Sequence, residues 1–154
     1  MTVENIDPKA LEGMVRKVLG EIIAEKSCCC EDKTRHVDKS GIISIKLPQI
    51  KPEPFSTGKP GDKAFLRDLA SLEESPNLGF GVMELDHTSF DWTLKYDELC
   101  YVIEGRLEII IGGRKSSADK GEIIYIPKGS SITFSAPDFA RFLYVAYPAD
   151  WANQ

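Results

Sequence analysis

Two stretches decide the fold: GVMELDHTSFDWTLKYDELCYVIEG, residues 81–105, and GEIIYIPKGSSITFSA, residues 121–136. Both consist of short runs of β-branched and aromatic residues, separated by Gly, Pro, Asp and Lys. Such runs predict strands, and the residues between them predict turns. Outward from these stretches, the same rhythm predicts strands at 42–47, 80–85, 90–94, 99–103, 107–111, 122–126, 131–135 and 141–147. Short, evenly spaced strands are typical of an antiparallel sandwich or barrel, so we expect a mainly β fold.

The composition of the chain limits the range of functions that we expect. With 154 residues, of which 42% are hydrophobic, the chain can build one domain with a packed core. A net charge of -5 disfavours a nucleic-acid surface, which requires a basic patch. No apolar run approaches the roughly 20 residues that cross a bilayer, and no secretory signal is evident. The cysteines are not spaced as a disulfide framework, so we expect a cytoplasmic protein.

The region before the barrel divides into two parts. Residues 1–26 are predicted to form an amphipathic helix, with Asp7 as N-cap, Pro8 in the first turn and apolar residues spaced alternately by three and four. Because such a helix is marginal alone, we expect it to dock on a partner. Residues 27–40 are predicted to be a polar linker and residues 41–154 the barrel domain.

Two segments of the barrel domain have no predicted strand partner. Prolines mark residues 48–76 as irregular, and this segment is expected to wrap the barrel, cover its mouth or build a dimer seam. The tail at 148–151 is expected to pack on the barrel or across a dimer seam.

The glycines of the two stretches have a characteristic spacing. Six residues separate Glu98 from Gly105, and the second stretch places Gly121, Pro127 and Gly129 in the order Gly, five residues, Pro, one residue, Gly. This spacing resembles the two motifs of the cupin superfamily. The resemblance implies a single jelly-roll barrel, or double-stranded β-helix, whose usual metal is held by three His and one Glu.

The histidines of that metal site are missing. In the cupin register their positions are occupied by Trp92, Leu94 and Ile132, or by Asp91 and Thr93 if the first pair is read one residue earlier. The chain has only two His, so a three-His site cannot be built. We therefore expect no tightly bound metal. A Mg²⁺ ion that arrives with nucleotide phosphates needs few protein carboxylates; its candidate ligands are Glu98, Asp97 and Glu84.

The candidate site lies at the barrel mouth around Glu98. Strand alternation places Trp92 on the inward face with Glu98, and Tyr96 and Phe134 are expected neighbours. Burial against aromatic walls raises a carboxyl pKa and suits the group to proton transfer or to orienting a polar substrate. The alternative is a structural Glu98 paired with Lys or Arg. Cys100 is predicted to be a core residue, and Cys28, Cys29 and Cys30 exposed thiols without a catalytic role.

Residues 90–105 closely resemble the barrel motif of the EutQ family, cupins of bacterial ethanolamine utilisation operons. The resemblance implies a homodimer associated with a bacterial microcompartment, with residues 6–26 as a peptide that docks on shell proteins. It also implies an acetate kinase that uses Mg-ATP as co-substrate. Carried over by motif position, the site candidates are Trp92, Tyr96, Glu98 and Tyr101. We take Glu98, Tyr96 and Trp92 as the catalytic candidates, and Phe80, Tyr101 and Phe134 as the substrate-binding candidates. Two alternatives stay open: a scaffold protein without enzymatic activity, and a cupin that binds a small metabolite.

Overall fold

The structure is a computed structural model that describes residues 34–153, and the chain divides into two compact units, residues 1–45 and 46–154. The described part of the first unit is a hairpin in which Arg35–Val37 (β1) pairs with Ile43–Ile45 (β2). The predicted linker therefore ends in a strand, and its predicted boundary with the barrel lies inside the hairpin. The predicted helix at 1–26 and the cysteine triplet lie outside the described residues.

The second unit is built from antiparallel strands. They are Glu53–Pro54 (β3), Ala64–Asp68 (β4), Gly79–Thr93 (β5), Asp97–Ile111 (β6), Arg114–Asp119 (β7), Ile123–Ile126 (β8) and Ser131–Tyr147 (β9). Short 3₁₀ helices lie at Leu47–Gln49 and Trp151–Asn153. The strand order is β3-β4-β5-β9-β6-β7, with β8 also paired to β6. Among the residues that the structure describes, no helix is long and apolar enough to cross a membrane.

Three long, bent strands wrap this sheet around a core. The first half of β6 lies between β8 and β9, and its second half lies between β7 and β9. The ladder is interrupted between Asp86 and Thr88 in β5, and between Gly105 and Glu108 in β6. Bulges of this kind bend a strand, so one strand serves both layers of the barrel. The predicted mainly β, cupin-type barrel is confirmed.

The strand boundaries differ from the prediction in two ways. First, the predicted pairs 80–85 with 90–94, 99–103 with 107–111, and 131–135 with 141–147 are single strands, because bulges stand where turns were expected. His87, expected in a turn, is the exposed residue at one bulge, with a φ of 47°. Second, β3, β4 and β7 were not predicted, since β3 and β4 are short and lie in the proline-rich segment, and β7 is almost entirely polar.

One partly buried arginine fixes the start of the second unit. Arg141 on β9 forms an ion pair with Glu84 on β5. The same guanidinium donates hydrogen bonds to the carbonyl oxygens of Leu47 (2.9 Å) and Ile50 (2.8 Å). Carbonyl groups in an irregular segment need donors when strands do not supply them. Arg141 therefore holds residues 47–50 against the central strands.

Candidate functional site

Inside the barrel is a small cavity with predominantly aromatic walls. Its volume is about 20 Å³, room for about one water molecule. The lining residues are Phe55, Leu66, Met83, Phe90, Trp92, Tyr96, Glu98, Phe134, Phe142, Tyr144 and Trp151. Glu98 carries the only carboxyl group among these residues, and the described lining contains no Lys, Arg or His.

Both sequence motifs are needed to build this site. Gly121 donates a backbone hydrogen bond to the carbonyl oxygen of Val102 (2.8 Å), which joins the second motif to the bend in β6. Gly129 donates one to the carbonyl oxygen of Leu94 (2.8 Å), which fixes the connection between β5 and β6. That connection carries Tyr96, and β6 begins with the residues that place Glu98. The glycine spacing therefore reflects how the site is held.

Glu98 is a buried carboxyl with an unusual protonation equilibrium. The residue is 6% exposed, and its backbone lies between Ile126 on β8 and Ala146 on β9. Burial raises the pKa of Glu98 to about 7, although hydrogen bonds from Cys100 and Tyr96 act to lower it. No ion pair compensates the charge of Glu98 within the described residues. At neutral pH the carboxyl is therefore available in both protonation states.

Two side chains, Cys100 and Tyr96, donate hydrogen bonds to this carboxyl, and a third, Trp92, orients Tyr96. The thiol of Cys100 lies 3.2 Å from Oε1 of Glu98 and donates to it. Burial raises the pKa of the Cys100 thiol, so it stays protonated, which agrees with a core residue rather than a nucleophile. Tyr96 accepts a 2.9 Å hydrogen bond from Nε1 of Trp92, which leaves its own O–H free to donate. Burial raises the pKa of Tyr96, so the phenol is a neutral donor.

The structure brings together four of the six predicted site residues. Trp92, Tyr96, Glu98 and Phe134 all line the cavity. Phe80 and Tyr101 do not; Phe80 is half-buried elsewhere, and Tyr101 lies on the outer face of the sheet, where it is 41% exposed. The cavity therefore does not bring these two substrate-binding candidates together with Glu98. Side chains alternate between faces along a strand. Tyr101 follows Glu98 by three residues and therefore points the opposite way.

The positions that hold metal ligands in other cupins divide between two roles. Trp92 lines the cavity, whereas Leu94 and Ile132 are buried in the hydrophobic core and are 0% and 4% exposed. Between residues 34 and 153, no group of three or more His, Cys, Asp or Glu is placed to hold a metal ion. Apolar packing thus occupies the space around the carboxyl.

Seven further residues that line the cavity were not among the predicted site residues: Phe55, Leu66, Met83, Phe90, Phe142, Tyr144 and Trp151. The hydroxyl of Tyr144 donates to Asp68, an exposed residue at the end of β4. Gly81 makes room for this tyrosine, because a Cβ at position 81 would overlap the Tyr144 hydroxyl. The sequence signal that could have found Tyr144 is its even spacing from Phe134 and Phe142 along one strand face.

The barrel shows which structural class the protein belongs to. The Cnp3 cupin domain of Schizosaccharomyces pombe has the same fold: it aligns over 71% of this chain and 77% of that domain with a TM-score of 0.55 and 14% identity. The protein is therefore a cupin by fold, one in which packing replaces the metal-binding histidines.

Its family follows from closer relatives. The family model of the ethanolamine utilisation protein EutQ matches residues 6–153, and the chain belongs to this family. A Clostridioides difficile protein named acetate kinase EutQ is 54% identical over 100% of this chain and 99% of its own length. The structure of the Clostridium difficile EutQ protein aligns with a TM-score of 0.78 and 58% identity over 81% of this chain and 93% of that one. A Salmonella typhimurium protein of the same name is 34% identical over 92% of this chain, which spans 64% of that longer relative.

Proposed function

We propose that this protein is an acetate kinase of ethanolamine utilisation, which converts acetate and ATP reversibly to acetyl phosphate and ADP. Relatives that bear the name acetate kinase support the reaction. The observation that carries the proposal to a site is the buried carboxyl of Glu98, with a pKa of about 7, at the wall of a small aromatic cavity. Aromatic walls around one protonatable carboxyl suit the chemistry of a small organic acid.

The chemistry assigns a protonated Glu98 to acetate binding. Acetate is ionised at neutral pH and needs no base to become a nucleophile. Two ionised carboxylates in one apolar site repel each other, whereas two carboxylates that share a proton do not. Glu98 therefore donates its O–H to one acetate oxygen, and the other oxygen remains free to attack. The neutral phenol of Tyr96 donates to Glu98 and so helps to orient it.

Phosphoryl transfer then requires positioning more than covalent help. The free acetate oxygen forms a bond to the γ-phosphorus as the bond to the β–γ bridging oxygen breaks, and ADP leaves with that electron pair. The Mg²⁺ that accompanies ATP neutralises charge on the phosphates. Because the described cavity walls contain no cationic side chain, the cavity holds the acid, and the nucleotide phosphates lie outside it.

The pH dependence of the reaction tests this role. If Glu98 must be protonated, kcat/KM for acetate is highest below pH 7 and falls about tenfold per pH unit above it. The measurement is acetyl phosphate trapped with hydroxylamine, at saturating Mg-ATP, with a mass-spectrometric check for contaminating kinase. A rate that rises through pH 7 would assign Glu98 to base catalysis or metal binding and overturn the role given above. Absence of product would overturn the kinase itself.

We also propose that the protein is a homodimer. The outer face of β6 and β8 carries Leu99 opposite Tyr125 and Tyr101 opposite Ile123, and all four are at least 36% exposed. An exposed apolar patch on a strand face favours association with a second copy. Sedimentation equilibrium of the wild type and of Ile123→Lys tests this: the wild type should be a dimer and the variant a monomer, and a monomeric wild type would contradict it.

The family also bears on where in the cell the protein acts. We propose that residues 6–26 direct the protein to the shell of a microcompartment that degrades ethanolamine. The support is the amphipathic pattern of this segment and the family to which the chain belongs. Deleting residues 1–26 should abolish co-purification with shell proteins while acetate phosphorylation persists. Unchanged co-purification would reject the targeting role.

A further inference from the structure

Trp151 closes the cavity from the C-terminal end of the chain. It lies on the 3₁₀ helix Trp151–Asn153, beyond the last strand. Its ring centre is 6.5 Å from that of Trp92 and 6.1 Å from those of Tyr96 and Tyr144. Edge and tilted contacts of this kind stabilise an aromatic cluster. Trp151 is nevertheless half-buried rather than buried, so one side of its indole faces outward.

A second space lies on that outward side. A cleft of about 320 Å³ runs between the segment that follows β4 and the C-terminal 3₁₀ helix. Trp151 lines both this cleft and the inner cavity. The indole is therefore a partition between a space that holds about one water molecule and a much larger space outside.

The size of the cavity means that a wall must move. Acetate has four non-hydrogen atoms, and the cavity of about 20 Å³ has room for about one water molecule. Strand side chains such as Phe134 and Phe142 are buried on all sides and cannot move outward. Trp151 has the outer cleft beside it, so its displacement adds room.

Only weak contacts hold Trp151 in place, as its displacement requires. Its indole N–H approaches the exposed carboxylate of Asp68 at a long 3.4 Å. Its backbone segment lies against Gly79, where an added Cβ would be 2.8 Å from the carbonyl oxygen of Ala149 and 3.1 Å from Cδ1 of Trp151. Position 79 thus accommodates the tail only as glycine, and a side chain there displaces Trp151 without altering any residue that lines the cavity.

We propose that Trp151 is the specificity-determining residue of the site. It moves aside to admit the acid from the outer cleft and then packs against the hydrocarbon end of the bound acid, which limits the acid to a two-carbon chain. This inference rests on the proposed acetate kinase activity for its substrate, but the closure itself rests only on the geometry.

Tryptophan fluorescence tests the closure without any turnover. The chain contains two Trp, so Trp151→Phe and Trp151→Ala both leave Trp92 as the only reporter. Acrylamide should quench Trp92 weakly in Trp151→Phe, where a ring still covers the cavity, and several-fold more strongly in Trp151→Ala. Adding Gly79→Ala to Trp151→Phe should raise quenching in the same way. Equal quenching in the three proteins would overturn the proposal.

Acid preference tests the specificity. Hydroxylamine trapping with acetate, propionate and butyrate should show the ratio of kcat/KM for butyrate to that for acetate rising at least about tenfold in Trp151→Ala. Trp151→Phe should keep the preference for acetate. An unchanged ratio in Trp151→Ala would overturn the size limit.

The role of Trp151 can be tested even if the protein proves to have no kinase activity. If neither wild type nor variant phosphorylates any of the three acids, the proposed function fails, and thermal shifts with the same acids decide the role of Trp151. A larger shift with butyrate than with acetate in Trp151→Ala, but not in Trp151→Phe, supports it. Equal shifts in both variants overturn it.

Discussion

Replacing Glu98 by Leu is expected to lower kcat/KM for acetate about 100-fold, the value of a hydrogen bond to a charged group. Leu fills a similar volume but donates nothing, so acetate loses the group that shares its charge. The matched variant Glu98→Gln keeps a neutral N–H donor and should retain much more activity. Because Gln does not titrate, its activity should also lack the fall above pH 7. The measurement is the hydroxylamine trap with all three proteins side by side.

Folding provides the control for these two variants. The pKa of Glu98 is raised from 4.5 to about 7 in the folded state, so the folded protein binds this proton more tightly than the unfolded chain. The stability that this group contributes is complete below about pH 4.5 and is lost as the pH rises through about 7. Relative to both variants, the wild type should therefore lose about 3 kcal/mol of unfolding free energy between about pH 5 and pH 8. A Glu98→Leu protein that folds and still works at the wild-type rate would remove Glu98 from the site.

Gly105→Ala is expected to cost about 4 kcal/mol or more of unfolding free energy, a large part of the stability of a small domain. Gly105 has a φ of 74°, which an L-residue adopts at a cost. An added Cβ would also overlap the carbonyl oxygen of Phe139 and lie 2.8 Å from its carbonyl carbon. Both atoms belong to the backbone of β9 and cannot move aside as a flexible side chain could.

Gly113→Ala separates the two contributions. Gly113 has nearly the same φ, 76°, in the hairpin between β6 and β7, but a Cβ there would meet nothing within 4 Å. Its cost should be the conformational part alone, about 1 kcal/mol. Urea denaturation and soluble yield measure both variants. Equal losses would show that the close approach of β9 to Gly105 contributes nothing.

The sequence specified the barrel better than its strand ends. Glycine, proline, aspartate and lysine positions marked most changes of direction, but they could not distinguish a turn from a bulge, because both need an unpaired residue with unusual backbone angles. His87 shows the difficulty, since a histidine at φ 47° has no sequence signature. The strand β7 was missed for another reason: the residues RKSSAD lie at the edge of the sheet, where polar side chains are favoured.

The site was predictable where its residues are close in sequence. Trp92, Tyr96 and Glu98 lie within seven residues of one another, and the turn between β5 and β6 brings them together. Phe80 and Tyr101 do not line this cavity. The alternation of side chains between the two faces of a strand was not used when they were chosen as candidates. Asp68 and Trp151 could not be predicted, because their proximity depends on the path of the whole chain and on a glycine at position 79.

The position of β9 has a consequence for the nascent chain. This strand, residues Ser131–Tyr147, lies between β5 and β6 and pairs with both along nearly its full length. β5 and β6 are made first, yet they do not pair with each other in the described sheet. Until β9 has been synthesised, each has a long open edge, which is a hazard for aggregation. The barrel therefore cannot close until β9 leaves the ribosome and fills the gap between β5 and β6.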